Sequence, residues 1–256
     1  MTSLRIFFLG GWTSYRALFG WLSPWILIPT FIIGPVLQIV FFALVGRTAG
    51  VGDDTFFLIG NAIQYASIPC LFAMGNTIGG ERYSQTLSLL LASPARRVPL
   101  FLGRSLPVIV NGLLCSLIAL VLRVTIPVSA IPMLVVAVTV AAFSCTGLGL
   151  AIAALGLRVR DVAVLSNIVM GVLLVFCGVN VALTAMPDWM AAIGNSLPLT
   201  HGIEAARATV AGASAADVSG LIVTEVAIGS AYLALGLLML AYFERESRRS
   251  ATLDLA

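Results

Sequence analysis

Three side chains in the last quarter of the chain have the types and spacing for acid–base or ion-pair chemistry. His201, the sole histidine, stands three residues before Glu204, and Glu204 three before Arg207. Residues three apart share one face of a helix, so the trio can interact there. Glu225 lies farther on, well inside an apolar stretch over 218–243. An acid in such a place faces protein or a water-filled path and is expected to have a basic partner, here Arg207 or Arg123. Structural pairing is the first expectation for these four groups, with gating, substrate contact and proton carriage as the functional alternatives. A lone histidine beside a glutamate is not a catalytic pair without a nucleophile. No cluster of metal-ligating residues or acidic motif for divalent-cation phosphate chemistry accompanies it. Catalytic residues and a metal site are therefore not expected. Cys70, Cys115, Cys145 and Cys177 all fall in apolar stretches without C-x-x-C spacing, where they act as small hydrophobes.

All fourteen basic residues are arginine; there is no lysine. A Walker A loop needs a lysine to reach the nucleotide's β/γ-phosphates, so this chain cannot hydrolyse ATP by that route and is expected to bind no cofactor. The small basic excess does not point to nucleic acid.

The elements that must position these groups follow from hydropathy. Apolar residues make up 60% of the chain and charged ones 10%, far from the roughly 25% charged of soluble domains. A bilayer core takes about 20 helical residues, and six stretches qualify: 24–46, 56–80, 105–126, 132–156, 162–186 and 218–243. The fold class is thus all-α integral membrane with six transmembrane helices. With the N-terminus inside, eleven arginines are cytoplasmic and only Arg47, Arg123 and Arg207 lie outside, as the positive-inside rule requires; both termini are then cytoplasmic. No cleavable signal peptide is evident. Residues 1–23, with Phe8, Trp12, Tyr15 and Phe19 at helical spacing, read as an interfacial helix on the inner leaflet. The segment 187–217 contains two short apolar helices, near 188–194 and 200–211, which are expected to dip back into the outer leaflet.

Two further segments stand out. The loop 81–104 begins with a short amphipathic pattern, polar at Glu81, Arg82, Gln85 and Ser88 and apolar at Leu87, Leu90 and Leu91, closed by Ser93-Pro94. It fits either a groove on a soluble partner or the membrane surface. On the second span, Asn61, Gln64, Tyr65 and Asn76 share a stripe with Gly75 and Gly79. Amide side chains avoid lipid and small residues admit a close neighbour, so this stripe faces a pathway, a dimer interface or another helix of the same subunit.

The order of these motifs resembles the transmembrane subunit of type-2 ABC exporters, the class of daunorubicin-resistance and polysaccharide-export permeases. The residues that carry the likeness are Gly80-Glu81-Arg82 through Leu91-Ala92-Ser93-Pro94, and Leu197-Pro198-Leu199-Thr200 to Glu204-Ala205-Ala206-Arg207. The layout of interfacial helix, six spans and two re-entrant helices between spans five and six adds to it. Asn195 and Pro198 are separated by two residues here, where the family often has Asn-Pro. The resemblance implies a dimer with a second copy or a paralogue, set in the bacterial inner membrane among its lipids and driven by separate ABC ATPase subunits that hold ATP and Mg. It implies coupling through Glu81, Arg82 and Leu87–Leu91, with Arg158, Arg160 and Asp161 as a second cytoplasmic contact. It places Asn167 and Asn180 of the fifth span in the pathway or interface, and His201, Glu204, Arg207 and Glu225 at the external gate. The expected cargo is a hydrophobic small molecule or drug, or a lipid-linked glycan. Two alternatives stay open: a stand-alone proton-coupled transporter using Glu225, and an integral-membrane enzyme acting on lipids.

Overall fold

The computed structural model describes residues 5, 7–13, 33–49, 54–83, 128–159 and 161–250, nearly all of them in helices. Seven helices follow residues 7–13, themselves helical: α1 (Gly34–Ala49), α2 (Asp54–Tyr83), α3 (Ile131–Leu155), α4 (Val162–Phe176), α5 (Asp188–Ser196), α6 (Thr200–Val210) and α7 (Ala215–Ser250). The expected third span 105–126, most of the loop 81–104 and the tail beyond 250 lie outside the described residues.

Local chemistry sets the ends of these helices. Pro132 sits in the first turn of α3, where a missing N–H costs nothing. Asp161 caps α4, accepting from the N–H groups of Ala163 at 3.1 Å and Val164 at 3.2 Å. Ser214 and Asp217 form a reciprocal capping box at the start of α7.

Helices α2, α3 and α7 each contain an apolar segment long enough to cross a bilayer: Asp54–Met74, Ile131–Leu155 and Ala215–Phe243. Helix α4 differs from expectation. The stretch read as a span over 162–186 is a helix of 15 residues, about 22 Å at 1.5 Å per residue. It stops because Gly178 adopts φ +72, a left-handed conformation that glycine takes without steric cost. The chain then bends through 177–182. Glu81 and Arg82 also differ: they belong to the last turn of α2 rather than to a separate amphipathic helix.

Helix α3 is the hub, packed between α2 and α7. The approach is close at glycines: a Cβ on Gly147 would stand 2.7 Å from Gly229 O, one on Gly236 2.8 Å from Ala151 N, and one on Gly149 2.7 Å from Leu71 O. Small residues let apolar helices pack backbone to backbone where no hydrophobic force drives them together. The apolar segment of α3 is 72% buried and that of α7 only 17%, so α7 lies at the rim of the bundle.

Candidate functional site

Three features converge at one end of the bundle, where α2 and α7 begin and α4 ends. The first is a polar ladder through an apolar interior. Asn61 is fully buried and donates from Nδ2 to Phe57 O at 2.8 Å and to Asn180 Oδ1 at 3.0 Å. Gln38 of α1 donates from Nε2 to Asn61 Oδ1 and to Gln64 Oε1, both at 3.0 Å. Buried amides need such partners, since an unmade hydrogen bond in apolar surroundings is expensive. The ladder borders a cavity of about 440 Å³ lined by Gln38 and Phe42 of α1, Gln64, Tyr65, Ile68, Pro69 and Phe72 of α2, and Met170 and Leu174 of α4.

Of the expected pathway residues, Asn61, Gln64, Tyr65 and Asn180 are thus brought together. Asn167 is not among them: it is exposed and bonds Ala163 O one turn back on its own helix. Gln38 was missed. Its signal was a single amide inside the apolar stretch of the first span, which is costly unless partnered.

The second feature overturns the expected ion pair of Glu225. Its fully buried carboxylate meets no arginine among the described residues. It caps α6 instead. Oε1 accepts from Leu199 N at 2.6 Å and from the Ser144 hydroxyl; Oε2 accepts from His201 N at 3.0 Å and Gly202 N at 3.2 Å. The first N–H groups of a helix have no partner within it and favour an anion, and α6 receives its anion from another helix. Leu199, whose own side chain gives no cap bond, is held at φ 85, a strained conformation that the surrounding bonds must enforce.

The third feature is Arg207, near the other end of α6. Nη1 donates to Gly178 O at 2.7 Å; Nη2 donates to Val179 O at 2.8 Å and Phe56 O at 3.0 Å. The guanidinium also stacks on the Phe56 ring at 3.4 Å. Burial pushes it down to about 10, partly offset by the charge of Glu204, which leaves it charged at neutral pH. Two of the carbonyls it collects belong to the bend that follows α4 and the third to the first turn of α2, so Arg207 ties these two segments to α6. Gly60 makes room for this: a Cβ there would lie 2.6 Å from Nη2.

The expected i,i+3 pairing of His201, Glu204 and Arg207 is therefore replaced by bonds to backbone. His201 Nε2 meets Asn195 O at 3.1 Å, Glu204 is exposed, and no ion pair joins Glu204 to Arg207. Helix periodicity puts the three on one face, but the carbonyls of 178–179 compete for the arginine and win.

At the opposite end, Arg158 pairs with Glu246 of α7 and lies 5.4 Å from the centre of the Phe243 ring. Asp161 is exposed and serves as the α4 cap. The side chains of Asn76, Glu81 and Arg82, and residues Leu87, Leu90, Leu91, Arg123 and Arg160, lie outside the described positions. Among the described residues no group of histidine, cysteine, aspartate or glutamate could hold a metal ion.

No curated protein sequence matches this chain. A family model, described as ABC-2 type transporter, matches residues 11–210, which takes in the cavity, the ladder, α5 and α6. With the apolar helices that make it a membrane protein, this match identifies the chain as a member of the ABC-2 type transporter family, a permease component.

Proposed function

We propose that this chain forms the translocation pathway of an ATP-driven exporter, working as a dimer with ATPase subunits encoded separately. The observation that carries this reading is the cavity of about 440 Å³ between α1, α2 and α4, bordered by a buried amide ladder. A void of that size, apolar with a few fixed polar groups, has the form of a small-molecule site. The absence of lysine from the chain puts the nucleotide, with its Mg, on another subunit. ATP binding and hydrolysis there would shift the permease between inward- and outward-open states through differential affinity for the two.

In this reading six spans cross the bacterial inner membrane with both termini in the cytoplasm. Helices α5 and α6 are re-entrant, and α6 with Glu225 and Arg207 flanks the outer exit. Glu81, Arg82, Leu87, Leu90, Leu91, Arg158, Arg160 and Asp161 form the surface facing the ATPase. The saturated environment of Glu225 argues against proton carriage: four hydrogen bonds converge on it, and a carrier must shed its partners at every cycle.

The test is co-expression with the ATPase encoded nearest to this gene, purified through a tag on this chain alone. The ATPase is expected to co-purify in stoichiometric amount, and Glu81→Ala with Arg82→Ala is expected to uncouple hydrolysis from transport. A chain that purifies alone from the same cells refutes the proposal.

A further inference from the structure

The direction of every hydrogen bond in the ladder follows from one backbone carbonyl. Phe57 O can only accept, so the Asn61 atom that meets it is Nδ2. That nitrogen spends its second hydrogen on Asn180 Oδ1, which leaves Asn61 Oδ1 to accept. Gln38 must therefore present Nε2 to Asn61, and its remaining hydrogen goes to Gln64 Oε1. Amide orientations are normally ambiguous between oxygen and nitrogen; here the chain of partners fixes all three. On the two amides that line the cavity, two groups are left over, Gln38 Oε1 as an acceptor and Gln64 Nε2 as a donor. Neither has a hydrogen-bond partner among the described residues, neither is sealed in protein, and both residues line the cavity.

We propose that this cavity binds an uncharged apolar molecule through a cis amide, as in a lactam or cyclic imide, whose N–H donates to Gln38 Oε1 and whose carbonyl accepts from Gln64 Nε2. The inference rests on reading the cavity as part of the export pathway and narrows the cargo within it. The described lining contains no charged side chain, so a carboxylate, phosphate or ammonium would be enclosed without a counter-ion. A glycan would bring more hydroxyl groups than the two open amide ends can satisfy, with Phe42, Phe72, Met170 and Leu174 facing the rest. A lactam, its amide held cis by the ring, presents one donor beside one acceptor and leaves nothing unpaired. An ester offers only acceptors and strands Gln38 Oε1, and sites built to hydrogen-bond a group reject the analogue that lacks it.

The test uses the full chain in lipid nanodiscs and two tritiated probes of the same shape, the lactam 3,4-dihydroquinolin-2-one and its lactone counterpart dihydrocoumarin. Counts on protein-free nanodiscs of the same lipid are subtracted to remove partition into the bilayer. The lactam is expected to bind about 10-fold tighter than the lactone, the worth of a hydrogen bond made on one probe and stranded on the other. In Gln38→Leu the lactam preference is expected to fall towards one while lactone binding holds. Gln38→Met serves as the second variant should the first not yield monodisperse protein. Equal affinity of the two probes, binding of neither, or a preference unchanged in the Gln38 variants overturns the proposal. Co-purification of the ATPase is scored in the same preparation. An ATPase bound without amide preference sinks only the cargo assignment. Amide preference without an ATPase sinks the exporter reading and leaves the binding site standing.

Discussion

Replacing Glu225 with alanine removes the cap that α7 supplies to α6. Three backbone N–H groups, of Leu199, His201 and Gly202, lose their acceptor in a buried setting. Hydrogen bonds to a charged group are worth about 1.5–3 kcal/mol each and do not add fully, so local opening at the start of α6 becomes easier by about 4 kcal/mol. At 1.4 kcal/mol per factor of ten, that is roughly a 1,000-fold rise in amide exchange. Glu225→Gln keeps the shape but turns an NH2 group towards one of the two donor pairs. About half the effect remains, or roughly 30-fold. Hydrogen–deuterium exchange read by mass spectrometry on a peptide covering 199–204 measures both. The capping box of Ser214 and Asp217 is the internal control and is expected not to move. Native exchange rates at 199–202 in Glu225→Ala would falsify the cap assignment.

Arg207→Lys keeps the charge but cannot reach three carbonyls from one planar fork. It is expected to cost about 2 kcal/mol, seen as a lower midpoint in detergent-denaturant titration, and an unshifted midpoint would show that the clamp contributes nothing. Gly149→Ala places a methyl 2.7 Å from Leu71 O and is expected to lower stability by about 1–3 kcal/mol by prising α2 from α3. Gly171→Ala meets nothing within 4 Å on α4 and should instead raise the same midpoint slightly, by about 0.5–1 kcal/mol; the two variants moving alike would contradict the packing described. Arg158 is exposed and Glu246 half-buried at the rim, so Glu246→Ala is expected to change thermal stability by about 1 kcal/mol or less, with a large drop as the contrary result.

Several of the helices were legible in the sequence because apolar length is a local property. Helices α5 and α6 occur at 188–196 and 200–210, against expected helices near 188–194 and 200–211. The polar stripe of the second span was also readable: Asn61 and Gln64 do share a buried face. What escaped was everything settled by a distant backbone group. Sequence pairs charge with charge, so Glu225 was matched to an arginine; its actual partners are N–H groups 23 to 26 residues away. Arg207 was matched to a glutamate one turn away, yet the bend after α4 offered it backbone carbonyls. The early stop of α4 was itself hidden because the residues after Phe176 remain apolar, and hydropathy does not register a single glycine at positive φ.

Helix α7 carries Glu225 near one end and Glu246 near the other, with no break between them. The separation of 21 residues corresponds to about 31 Å of continuous helix, close to the thickness of a bilayer core. Its inner side packs on α3 along Gly147, Gly229 and Gly236 and, farther along, through Leu150, Leu237 and Leu240. Such a helix is a single stiff rod, which joins the Arg158 contact at one end of the bundle to the cap of α6 at the other.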